Sequence, residues 1–342
     1  MIAVVLLAAG QGTRMNSRKQ KILHEVGGRP MVLHAFLAAA AVAGRPPVLV
    51  IGPGETGVPA LLGDRAEYVV QPEALGTGHA TMMAADALRG RADQVIVTYG
   101  DMPLLRAETL QRLAETQRAA GAAVALLSVP GAPDSTFGRI VRDDAGGVVE
   151  IVEVAEARRR PDAEALLVIG ELNAGVYCFD GDWLWANIDR LPVRQARRGQ
   201  EYYLTDMVEL AVAAGRPVAA VMADDPDEGL GAGTRAEMVA VERAFRRRVN
   251  GHWLAHGVTL VEPDATYIGP DVAIGQDTII WPNTFLQGQT TIGAECVIGP
   301  NAVLRDTRVG DGSRVEQMLL DGQCVPAGTT ARPGQWPPTG GA

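Results

Sequence analysis

Leu7-Ala8-Ala9-Gly10-Gln11-Gly12-Thr13-Arg14-Met15 is a run of small residues that ends in a cation, and Arg18, Lys19 and Lys21 follow at once. Small side chains let backbone N–H groups come close to a base or a phosphate. The chain carries 31 Lys+Arg against 40 Asp+Glu, a net charge of −9, so four cations crowded beside a glycine loop stand out as a local basic pocket. Together they read as a triphosphate cradle. A glycine turn followed by a solvated charge run would use the same residues, so other positions must decide. A dinucleotide fingerprint needs glycine where Met15 stands and an acidic residue where Ile51-Gly52-Pro53 stands. A Walker loop needs Gly-Lys-Ser/Thr, which the sequence lacks. Hydride transfer and Walker-type NTP hydrolysis both lose ground.

Tyr99-Gly100-Asp101-Met102-Pro103-Leu104 closes a strand at Gln94–Thr98 and puts one carboxylate at its end. Asp101 is a natural Mg²⁺ ligand, because magnesium takes few protein carboxylates and fills its shell with phosphate oxygens and water. The alternative role for Asp101 is capping the helix that starts near Ala107. Gln71-Pro72-Glu73-Ala74-Leu75-Gly76-Thr77-Gly78-His79-Ala80 is a glycine turn feeding a helix. Gln71 offers a donor and an acceptor, which suits reading a pyrimidine edge, and the Gly76-Thr77 backbone can do the same. His79 reads as a helix-start residue, and the remaining histidines form no metal-ligand spacing.

The elements that must position these residues follow from hydrophobic rhythm. At 342 residues, with 47% hydrophobic and 21% charged residues, the chain is long enough for two domains and too apolar for wholesale disorder. Up to about residue 230, strands are expected at Ala3–Leu7, Val48–Ile51, Tyr68–Gln71, Gln94–Thr98, Ala123–Val129, Val148–Val152, Asn173–Phe179 and Val218–Met222. Helices are expected at Pro30–Ala43, Gly78–Leu88, Ala107–Ala119 and Leu204–Ala214. Strand-then-helix alternation gives an α/β, largely parallel sheet that binds ligands where loops leave the strand ends. A helix with Met238, Val241, Phe245 and Val249 on one stripe connects onward, its arginines 243 and 246–248 expected to form a solvated face. Aliphatic residues then recur every six positions, from Ile268-Gly269 through Ile274, Ile280, Leu286, Ile292 and Ile298 to Leu304. That is a hexapeptide repeat, whose coils stack into a triangular prism of short parallel strands.

The acidic balance argues against a nucleic-acid or anionic-membrane partner. Three scattered cysteines, Cys178, Cys296 and Cys324, form no disulfide framework and fit a reducing cytoplasm. The apolar start Met1–Ala9 lacks a basic n-region and reads as a buried strand.

The glycine loop with Lys21, the Gln71–Ala80 turn and Tyr99–Leu104 together resemble the N-acetylglucosamine-1-phosphate uridylyltransferase half of a bacterial bifunctional family. So do Phe137–Ile140, Ile151–Glu153, Glu171–Gly175, Glu201–Asp206 and the hexapeptide segment. The resemblance implies a Rossmann-like mixed-sheet nucleotidyltransferase domain at 1–231 and a connecting helix at 232–257. A short left-handed parallel β-helix at 258–326 and a flexible tail at 327–342 would follow. It implies that Leu7, Ala8, Ala9, Gly10, Gly12, Thr13, Gln71, Gly76, Thr77, Tyr99 and Gly100 hold the nucleotide. Arg14 and Lys21 would carry phosphate charge, Gly138, Glu153 and Asn173 would contact the sugar, and Asp101 would bind Mg²⁺. The reaction implied is in-line attack of a sugar 1-phosphate on the α-phosphorus of UTP, with loss of pyrophosphate. The partners implied are UTP and a sugar 1-phosphate, in a homo-oligomer, a trimer by family habit.

Three positions depart from the family pattern. Gly233 stands where the family places an asparagine metal ligand, and water or one of Asp224, Asp225 and Asp227 is the expected substitute. Gln20 replaces a proline, and Ala155 a lysine. The family's acetyltransferase site lies on later coils, so acetyl transfer is not expected. A glucose-1-phosphate uridylyl- or thymidylyltransferase and a non-catalytic nucleotide-sugar-binding subunit are the alternatives.

Overall fold

The computed structural model describes residues 1–196 and 199–336, so residues 337–342 of the expected tail lie outside the described residues. The chain divides into two compact units, one comprising 1–24 and 30–237 and the other 25–29 and 238–342.

The first unit is built on a nine-stranded sheet. Its strands are β1 (Ile2–Leu7), β2 (Val48–Ile51), β3 (Glu67–Val70), β4 (Gln94–Tyr99), β5 (Val124–Pro130), β6 (Arg139–Arg142), β7 (Val148–Val152), β8 (Glu171–Asp180) and β9 (Val218–Met222). The order is β9-β5-β8-β4-β1-β2-β3, with β6 paired to β8 and β7. Strands β3, β2, β1 and β4 are mutually parallel. Strand β8 runs antiparallel between β4 and β5, which makes the sheet mixed. The uninterrupted apolar runs reflect burial on both faces. Ala3, Val5 and Leu7 enter one core with Val48 and Val50, while Val4 and Leu6 enter the other with Leu49 and Ile51. Helix Ala107–Ala119 packs on the second face through Leu110, Leu113 and Ala114, at helical spacing.

Several features were not expected from sequence, among them the helices Gly57–Leu62 and Gly181–Asn187. Strand β6 is short and polar-ended, so its period-2 signal is weak. The long helix expected over Gly78–Leu88 is two short ones, Gly76–Met82 and Ala85–Leu88. Pro30 is the residue before the helix Met31–Val42 rather than its first turn.

In the second unit, three parallel sheets form a prism with strands of two to four residues. Ile280, Ile298, Val315 and Ala331 stack down one sheet, Ile268, Leu286, Leu304 and Leu320 down another, and Ile274, Ile292, Val309 and Val325 down the third. Side chains at these positions form one buried core. Beyond Leu304 the next buried position is Val309, one residue early, because the coil is shortened there while the register passes from Ile292 to Val309 without losing a ladder contact. Regular structure therefore runs past Pro326: the strand Thr330–Ala331 pairs with Arg314–Val315, and Trp336 Nε1 donates to Gln323 at 2.8 Å. Spacing missed this because the steps from Val315 to Leu320 and from Leu320 to Val325 interrupt the six-residue period before it resumes at Ala331. The helix Arg235–Ala255 contributes Val249 and Trp253 to this core. Its Arg246 is not merely solvated: the guanidinium donates to Asp264 O at 2.9 Å and lies 4.6 Å from the Tyr267 ring centre. Truncating Leu286, 0% exposed, to alanine should cost about 2–5 kcal/mol, read as a lower unfolding midpoint by calorimetry. A loss under about 1 kcal/mol would mean that the prism relaxes around the gap.

No helix among the described residues is long and apolar enough to cross a membrane. The three cysteines are free.

Candidate functional site

The carboxyl ends of β1 and β4, with the turn that follows β3, converge on one hollow of about 360 Å³. Leu7 to Gln11 come from the first, Tyr99 and Asp101 from the second, and Gln71, Gly76 and Thr77 from the third, with Lys21 and Glu201 completing the wall. A second hollow of about 340 Å³ shares Tyr99 and Asp101 with it. Its other walls include Arg14, Gly138, Glu153, Asn173, Gly231, Gly233 and Glu237.

At the junction Lys21 Nζ donates to Asp101 Oδ2, with the two side chains 16% and 20% exposed. Asp101 does not cap the helix at Ala107, whose preceding residue is Arg106 and whose end carries no side-chain cap. Gly12, Thr13 and Gly100 line neither hollow. Gly12 has φ 59°, and a side chain there would collide with the Lys21 stem, so its smallness serves Lys21 rather than a ligand. Gly100 is buried and donates to Leu7 O at 3.0 Å, locking β4 to β1. Thr13 sits exposed in the short turn Thr13–Met15.

Gln71 is 5% exposed, and its Nε2 donates to Gly76 O at 3.1 Å. The same nitrogen meets His79 Nδ1 at 3.0 Å, so both of its protons are engaged and Oε1 remains as the acceptor. His79 is thus the residue that orients Gln71, a role the sequence did not suggest. The Gly76 turn is pressed onto Tyr202, whose O accepts from Gly78 N and whose N donates to Leu75 O, both at 2.8 Å. A Cβ on Gly76, at φ +93°, would lie 2.6 Å from Tyr202 O. Gly76→Ala should therefore push this wall outward and raise the KM for the nucleotide about tenfold. An unchanged nucleotide KM would show that the turn is not part of that pocket.

The second hollow is shaped by a bulge in β8 between Asn173 and Tyr177. Asn173 Nδ2 donates to Tyr177 Oη at 2.7 Å, and its Oδ1 accepts from Gly175 N at 3.0 Å. Gly175, at φ +80°, leaves room for the Tyr99 ring. Burial, and then the charges of Asp101 and Glu153, push the Tyr99 phenol well above its usual range, so it stays a neutral donor. Glu153 is raised mainly by burial and further by Glu156 and Asp206. On the facing wall, the buried Glu228 accepts from Arg106 N and Thr109 Oγ1, both at 3.0 Å. That ties the Gly229–Gly233 loop to the segment after Asp101, and Ala232 N adds a bond to Asp101 O at 3.3 Å.

Gly233 leaves space that other groups use. A Cβ there would be 2.6 Å from an Arg14 guanidinium nitrogen and 3.1 Å from Glu237 Oε2, which accepts from Gly233 N at 2.6 Å. Two of the expected substitutes are engaged elsewhere. Asp224 pairs with Arg112 at 2.7 Å and Asp225 with Arg106 at 2.8 Å. Glu237 lines the hollow as well, with Asp101 and Glu153. One helical turn separates it from Gly233, which is the signal that could have found it.

A MobA-like NTP transferase domain model matches residues 4–177, and a six-repeat bacterial transferase hexapeptide model matches 271–306. A protein of Exiguobacterium sibiricum named bifunctional protein GlmU is 42% identical over 94% of this chain and 71% of its own length. The chain belongs to the GlmU family. GlmU proteins of Halalkalibacterium halodurans and Trichlorobacter lovleyi are 40% and 43% identical over 92% and 94% of this chain. The chain spans 68% and 65% of those two GlmU proteins. With the NTP transferase model over residues 4–177, membership of this family makes the chain a nucleotidyltransferase.

Proposed function

We propose that the chain joins UTP to N-acetylglucosamine 1-phosphate, releasing pyrophosphate and forming UDP-N-acetylglucosamine. The observation that carries this reading is the Lys21–Asp101 pair at the seam of two hollows, one lined by the glycine loop and Gln71, the other by Glu153 and Asn173. Two substrates seated in these hollows would meet at that seam. The acceptor left on Gln71 suits the N3–H of uracil or thymine and not the bare N3 of cytosine.

The sugar phosphate oxygen attacks the α-phosphorus, and the bond to the β-phosphate's bridging oxygen breaks. No nucleophilic side chain is required, so alignment and charge neutralisation carry the step. Lys21 would pass from Asp101 to the phosphate oxygens, and Arg14, exposed at the rim, would steady the incoming phosphate. Glu153 would accept from the sugar. The acidic oxygen donors Asp101 and Glu237 suit a hard cation such as Mg²⁺. Among the described residues no three His, Cys, Asp or Glu converge, so the ion would share its shell with substrate and water. When bound, it would neutralise phosphate charge. A homo-oligomer is part of the same proposal, supported by the hexapeptide repeats and by exposed Trp281 and Leu319 on the prism.

The test is pyrophosphate release with UTP or dTTP, Mg²⁺ and a panel of sugar 1-phosphates, for the native chain and for Asp101→Ala. Release only with UTP and N-acetylglucosamine 1-phosphate, abolished in the variant, is expected. Silence with every sugar removes the enzyme reading, and a preference for glucose 1-phosphate moves it to the sister reaction.

A further inference from the structure

Arg139 is 0% exposed, yet among the described residues it has no carboxylate partner. Its guanidinium instead gathers carbonyls from a single loop. One terminal nitrogen donates to Phe137 O, the other donates to Pro133 O at 2.8 Å and Ser135 O at 3.1 Å, and Nε has no partner. Burying a guanidinium without a counter-ion is expensive, and an aliphatic side chain of similar volume would fill the space at less cost. Packing alone therefore gives no reason for an arginine here.

The loop supplies one. Thr136, Phe137 and Gly138 line the hollow that contains Glu153 and Asn173. Gly138 O accepts from Asn173 N at 2.9 Å, so the loop's end is joined to the bulged strand β8. The rest of the loop has few bonds of its own: Ser135 N donates to Ala132 O at 3.0 Å and Phe137 N to Ser135 Oγ at 3.3 Å. Three carbonyls spread over five residues would otherwise turn to water, and the guanidinium fork is the one group that faces all three. We propose that Arg139 is a positioning residue: by collecting the carbonyls of Pro133, Ser135 and Phe137 it holds this loop in the shape that accepts the sugar 1-phosphate. The inference rests on the reading of the second hollow as the sugar pocket.

Arg139→Lys keeps the charge but offers no planar fork, and Arg139→Met keeps volume without donors. Both should raise the KM for N-acetylglucosamine 1-phosphate on the order of tenfold while leaving the KM for UTP within about twofold. Hydrogen exchange should quicken over 132–138 while β1 and β4 stay protected. An unchanged sugar KM, or equal rises in both KM values with general loss of protection, overturns the proposal. If neither variant folds, exchange in the native protein decides: the amides of Ser135 and Phe137 must be slowed without ligand, and free exchange there overturns it. A native chain that uses no sugar phosphate would instead defeat the functional reading, and the exchange measurement would still report on the loop.

Discussion

Lys21→Ala should lower kcat by roughly 10²–10³, with a much smaller change in the KM for UTP. The reasoning starts from where Lys21 is held. Gly12, at φ 59°, lies against the lysine stem, and Asp101 takes its ammonium at the seam of the two hollows. Charge grows on the phosphate oxygens in the transition state, so a fixed cation there acts on kcat rather than on ground-state binding. The same pair contributes little to folding. A partly exposed ion pair is worth about 0–1 kcal/mol, so the unfolding midpoint should shift by only a few degrees. Large loss of turnover with small loss of stability is the signature to look for, by steady-state kinetics and calorimetry on one preparation. Retention of more than about a tenth of native kcat would remove Lys21 from the reaction.

Glu153→Gln should raise the KM for the sugar 1-phosphate by roughly 10–100-fold, because a charged hydrogen-bond acceptor contributes about 1.5–3 kcal/mol. The variant should also be more stable than the native protein at neutral pH. Burial first, and then Glu156 and Asp206, raise the Glu153 pKa in the folded chain. The folded state thus holds this proton more tightly than the unfolded state does. The stability it contributes is fully present below the unfolded pKa and is lost as pH rises through the folded one. At neutral pH the ionised carboxylate therefore weakens the fold, and glutamine relieves that. The gain should vanish in acid, below the ordinary glutamate pKa. In the native enzyme, kcat/KM for the sugar should begin to fall with decreasing pH earlier than an ordinary glutamate would dictate. Equal stability of native and variant proteins from pH 5 to 8 would refute the electrostatic argument.

Much of the lining of the first hollow was legible early. Leu7 to Gly10, Gln71, Tyr99 and Asp101 stand at or just past the ends of strands whose apolar runs mark them, Gly76 and Thr77 open the helix that follows one of them, and strand ends in such sheets face one edge. The hexapeptide period likewise marked the prism, because each coil repeats one buried position. The opposite wall was not readable in the same way. Glu228 carries no local pattern and acts on Arg106 and Thr109, which the fold brings to it. Glu237 and Arg139 bond backbone close by in the chain, but Glu237 and the loop that Arg139 holds reach the second hollow only through the fold. Sequence alone marked most of the residues that line the first hollow, since strand periodicity and glycine spacing are local properties. Only the tertiary structure decided that Lys21 rests on Asp101, that Gln71 presents an acceptor, and that Arg14 and Glu237 flank the space beside Gly233. Lys21 with Asp101 and Arg14 with Gly233 are far apart in the chain, and the shorter contacts of Gln71 and Glu237 depend on how their turns pack, so packing sets them all.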